Sequence, residues 1–126
     1  MKTEPKKPED LLKPQKYLDE LAQSGVKYSQ QDVVAVTKNV DGKLIWLEKG
    51  NSYAGFEHVM KHADEFVSKG IGKELIPEFL ITAVREGKLI GMQRTRPIYQ
   101  VTFNGKAYKV AIDIGNNGFI VGANMK

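Results

Sequence analysis

A chain of 126 residues, 41% hydrophobic and 27% charged, fits one domain with an ordinary core and is not of a disordered type. It has no apolar run near the roughly 20 residues of a membrane span, no signal-like apolar stretch in residues 1–10, and no cysteine for disulfides, thiolate chemistry or a Cys-based zinc site. The net charge is +4, and residues 88–126 carry six basic side chains against Asp113 alone, so the basic excess falls in the C-terminal third. A solvated basic face explains that asymmetry as well as a polyanion-binding one does.

In chain order, residues 1–14 carry Pro5, Pro8 and Pro14 among Lys and Glu and read as a linker or tail. Residues 14–24 read as a short helix with Tyr17, Leu18 and Leu21 on one side and Gly25 as its stop. Two apolar runs, Val33 to Thr37 and Leu44 to Leu47, flank Asp41-Gly42, which predicts a β-hairpin over 33–48. Over 55–67, Phe56, Val59, Met60, Ala63, Phe66 and Val67 recur at the helical period as one stripe. A further helix opens at Pro77, runs through Phe79, Leu80, Ala83 and Val84, and stops at Gly87. Strand patterns follow over 89–92, 98–103, 106–114 and 119–123, joined by tight turns such as Asn104-Gly105. Helices first and an antiparallel meander after make an α+β domain.

The two histidines, His58 and His62, are four residues apart on the helix of 55–67. At roughly 100° per residue they lie roughly 40° apart on one face, away from the apolar stripe, with Glu65 on the same polar face. This placement argues against buried structural histidines and leaves plain surface residues as the rival reading. Two imidazoles can serve as base and acid near neutral pH. RNA carries its own nucleophile, the 2′-hydroxyl, so a base, an acid and cations near the phosphate suffice without a metal or any other cofactor. Candidate cations are Arg94 and Arg96, placed before Pro97 in a loop or strand start, and Lys61 between the histidines. Tyr99, Thr102 and Asn124 can orient phosphate or ribose, and each reads equally as an ordinary sheet residue. The spacing of the histidines also suits a helical metal pair, but Val59 stands where zincin chemistry needs Glu, and no third imidazole exists. No Walker phosphate loop or Ser-His-Asp pattern is present.

The segment from Gly42 through Trp46 to Asn51, then Gly55-Phe56-Glu57-His58, Lys61-His62 and Phe66, resembles the nuclease domains of bacterial polymorphic toxins. So do Arg96-Pro97-Ile98-Tyr99, Phe103-Asn104-Gly105 and Asn117 to Asn124. The likeness is to the barnase–EndoU–colicin–RelE-like superfamily, in its phage and contact-dependent growth inhibition branch, and covers residues 25–126. It implies a nuclease domain over 25–126 preceded by a linker or N-terminal helical extension over 1–24. It implies an endoribonuclease toxin acting on RNA, often tRNA, with His58, His62, Arg96 and Tyr99 as the catalytic set; Lys61, Arg94, Thr102 and Asn124, read from the residues themselves, are the substrate-binding candidates. It further implies delivery at the C-terminus of a larger secreted effector into a target-cell cytoplasm, without stable membrane association. A cognate immunity protein would block the cleft, and a host protein activator is a further expected partner. The contrasting readings are a non-catalytic nucleic-acid or protein binding module of the same fold, and a metal-dependent hydrolase.

Overall fold

The computed structural model describes residues 12–126, so most of the expected N-terminal linker lies outside the described residues. Helix α1 spans Gln15–Gln23, after Pro14, and presents Leu21 inward. Strands β1 (Val33–Lys38) and β2 (Leu44–Glu48) form the expected hairpin, closed by a loop in which Asn39 Oδ1 accepts from the amides of Asp41 and Lys43. The run Val33 to Thr37 does not alternate in polarity because the hairpin is covered on both sides. Val33, Val36 and Trp46 pack under α1 with Leu21, while Ala35, Ile45 and Leu47 face the main core.

The helix expected over 55–67 is broken into α2 (Phe56–Val59), a 3₁₀ turn (Met60–His62) and α3 (Ala63–Ser68). A 3₁₀ step advances roughly 120° rather than roughly 100°. The apolar stripe therefore slips in phase across the turn. Val59, Ala63 and Phe66 are buried, but Val67 is 47% exposed, contrary to its expected place in the stripe. Helix α4 (Ile76–Glu86) has Pro77 in its first turn and buries Ile76, Phe79, Leu80, Ala83 and Val84.

The C-terminal meander is an antiparallel sheet in the order β3 (Lys88–Gln93), β4 (Arg96–Phe103), β5 (Lys106–Ile114) and β6 (Ile120–Met125). Asn104 and Gly105 both have positive φ (50° and 80°), the geometry a two-residue hairpin turn requires. Register sorts the sheet into two faces. Tyr99, Val101, Phe103, Val110 and Ile112 look toward the main core, where Phe79 meets Phe66, Phe103 and Tyr108 edge to face. Ile98, Ala111 and Asn124 lie side by side on the opposite, open face. The chain is thus an α+β fold in which helices precede and pack on a C-terminal antiparallel meander. The hairpin joins the meander through a bridge between Trp46 and Phe119 and the bond from the Trp46 amide to the Gly118 carbonyl.

Candidate active site

The open face is not flat. Gln93, at the end of the edge strand β3, exchanges two side-chain hydrogen bonds with Asn124 on β6, although β4 and β5 separate those strands (3.0 and 3.2 Å). The tip of the β3–β4 hairpin therefore curls over the face, helped by irregular pairing at Leu89 to Gly91 and at Asp113 to Ile114. The curl makes a cleft of about 610 Å³ lined by His62, Glu65, Gln93, Arg94, Arg96 and Asn124, with Thr95 at the hairpin tip.

From the other side, α2 is tied against β6 by the Gly55 amide bonding the Val121 carbonyl (2.9 Å). This carries His58 onto the open face above Gly122. A methyl group there would lie 2.9 Å from His58 Cδ2, 3.2 Å from His58 Nε2 and 3.0 Å from Arg96 Nη2. The imidazole edge and the guanidinium thus share the space that a side chain at position 122 would take. His58 does not line the cleft itself but meets its Arg96 wall.

Both imidazoles are held through Nδ1. His58 Nδ1 lies 2.9 Å from the Ser52 carbonyl, which can only accept, so Nδ1 carries the proton and the neutral ring has a bare Nε2. His62 Nδ1 lies 2.6 Å from Glu65 Oε2, three residues on. A carboxylate in that position fixes the ring and balances positive charge on it. The ring centroids are 6.4 Å apart at 84°. The 3₁₀ turn lies between the two residues, and their rings meet edge to face.

Arg96 Nη1 donates to Asn124 Oδ1 (2.8 Å), and Asn124 is held by Gln93 and the Met125 carbonyl. These acceptors are neutral. Among the described residues, neither Arg94 nor Arg96 has a carboxylate partner, and Asn124 orients the Arg96 guanidinium without cancelling its charge. Arg94 sits at the hairpin tip with φ 55°. No group of three or more His, Asp or Glu gathers among the described residues to hold a metal.

Of the residues expected from sequence, His58, His62, Arg94, Arg96 and Asn124 come together. Three do not. Tyr99 points to the core side of β4, half-buried against the main core, and burial pushes its hydroxyl pKa above the ordinary 10.0. Its odd position along β4 puts it on the face opposite Arg96. Thr102 is six residues from Arg96, about 20 Å along the strand, and lines a separate hollow with Glu86 and Lys88. Lys61 lies over the Tyr53 ring, 5.8 Å from its centroid, outside the cleft lining. Sequence reasoning missed Gln93, the Ser52 carbonyl and Gly122 as parts of the site. Glu65 was visible on the helix face, but its bond to His62 was not.

No protein-family model matches the chain, and no curated protein matches it.

Proposed function

We propose that the chain is a metal-independent endoribonuclease that cleaves RNA by attack of the 2′-oxygen on the adjacent phosphorus. The observation that carries this reading is the meeting over Gly122 of the Nδ1-anchored His58 with Arg96, which no described carboxylate pairs, while a second Nδ1-anchored imidazole, His62, lines the adjoining cleft. His58, with its bare Nε2 beside Arg96, takes the 2′-hydroxyl proton. His62, whose positive form Glu65 balances, gives a proton to the departing 5′-oxygen. Arg96 binds the non-bridging phosphate oxygens as negative charge grows on them, and Arg94 adds a second cation at the hairpin tip. The 2′-oxygen–phosphorus bond forms as the phosphorus–5′-oxygen bond breaks, so the products are a 2′,3′-cyclic phosphate and a 5′-hydroxyl. Asn124 acts by aiming Arg96 rather than by touching the reacting atoms.

Substrate, delivery and partners rest on the resemblance of the segments between Gly42 and Asn124 to polymorphic-toxin nucleases. On that basis the RNA is tRNA, and the chain is the terminal module of a secreted effector held in check by an immunity protein.

The test is incubation of purified protein with total RNA and with tRNA, each with excess chelator. Cleavage leaving 2′,3′-cyclic phosphate ends is expected, falling by about 10²–10⁴-fold in His58→Ala and His62→Ala. RNA that stays intact with every addition, lysate included, overturns the reading. Binding without cleavage points instead to a non-catalytic RNA-binding module.

A further inference from the structure

Beyond Asn124 the open face continues into a second hollow. Asn124 and Lys126 are two residues apart on one strand, so their side chains leave the same face about 7 Å apart. The Lys126 amide bonds the Lys109 carbonyl (3.0 Å), and Lys109 pairs with Gln100 on β4. Lys126, Lys109 and Gln100 therefore stand next in register after Asn124, Ala111 and Ile98. A hollow of about 350 Å³ opens beside these residues and is completed by Lys69, Lys106 and Tyr108. Lys106 Nζ reaches the Lys69 carbonyl (3.4 Å) and lies 5.4 Å from the Tyr108 ring centroid.

Four lysines line this hollow, Lys109 and Lys126 from the open face and Lys69 and Lys106 from round the edge of the sheet, and none of the four is ion-paired with a described acidic side chain. Like charges gathered this way repel one another in the free protein, and a polyanion relieves the repulsion while releasing counterions. The two-residue step along β6 is of the same order as the separation of neighbouring phosphates on a nucleic-acid strand. Building on the nuclease reading, we propose that Lys109 and Lys126 bind an RNA backbone phosphate flanking the one held at Arg96. The strand then runs across the open face from the hairpin tip toward the end of β6. This subsite contributes to substrate affinity and not to the bond-breaking step, because it lies along the strand from both imidazoles.

The decisive variant is Lys109→Gln/Lys126→Gln in the full chain, compared with Lys16→Gln/Lys27→Gln, which removes the same charge around α1. Two measurements are made: kcat and KM on a dinucleoside monophosphate and on an RNA octanucleotide, and salt-dependent binding of an uncleavable 2′-deoxy octanucleotide. The expected result is about a tenfold rise in KM for the octanucleotide with kcat unchanged, and no effect on the dinucleotide. The slope of log affinity against log salt should shrink by about 0.7–1.4 in the Lys109/Lys126 variant and not in the control. An unchanged slope, or equal losses on both substrates, overturns the subsite. If the unmodified chain cleaves neither substrate, the nuclease reading falls, while the slope with the deoxy strand still decides the subsite.

Discussion

Gly122 is the residue on which the approach of His58 to Arg96 depends, and what matters there is the absence of a side chain. His58 and Arg96 occupy the space a Cβ would fill, at 2.9 and 3.0 Å, and both approach with the ends of movable side chains rather than with backbone. Gly122→Ala should therefore leave the fold intact, with a stability change within about 1 kcal/mol, since alanine also relieves glycine's entropic cost in a strand. On the proposed nuclease reading it should lower RNA cleavage by about 10–100-fold, because shifts of about 1 Å in catalytic groups carry penalties of that size. Thermal melts and cleavage rates on the same preparation check this; an active alanine variant would show that the imidazole and guanidinium need not meet there. The importance of this glycine could not be read from the sequence, where it is one of several in a strand-like run. It becomes visible only when α2 is placed beside β6.

At the scale of elements, α2 is positioned by the residue that caps its start. Gly55 has φ 93°, donates to Val121 on β6, and has Glu48 O and Gly50 Cα within 2.9 and 3.0 Å of where a Cβ would sit. All of those neighbours are backbone, so they cannot move aside cheaply. Gly55→Ala is expected to cost about 1–3 kcal/mol from the left-handed backbone alone, with a fall in Tm on the order of 10 °C. Calorimetry decides it, and an unchanged Tm would mean that α2 is not clamped to the sheet edge. Local pattern predicted most elements correctly, because apolar periodicity, Asp41-Gly42, Asn104-Gly105 and Pro77 are local signals. Local pattern failed where long-range packing wins. The 3₁₀ turn at Met60–His62 interrupts a sequence with good helical periodicity. Gln93 joins Asn124 only because the sheet curls. Tyr99 was placed in the site by motif likeness, whereas the parity of β4 sends it to the other face.

For the molecule as a whole, Tyr99 gives a stability signature at alkaline pH. Its hydroxyl is kept neutral by burial, so its folded pKa lies above the ordinary 10.0. The stabilisation from that neutral group is fully present below pH 10 and is lost as pH rises from there through the folded pKa. The stability of the unmodified chain should thus fall relative to Tyr99→Phe as pH rises from about 9 to 11. Denaturant titrations across that range measure the gap, and a constant gap would contradict the burial of the hydroxyl. One cation beside the cleft also strains the fold, at the tip of the β3–β4 hairpin. Arg94 holds a left-handed φ of 55° that glycine would adopt without strain. Arg94→Gly should raise thermal resistance by about 1 kcal/mol while removing a positive charge from the cleft. If the proposed nuclease reading holds, a screen for heat tolerance would select that substitution and a screen for RNA turnover would reject it, so this turn would trade durability for reactivity.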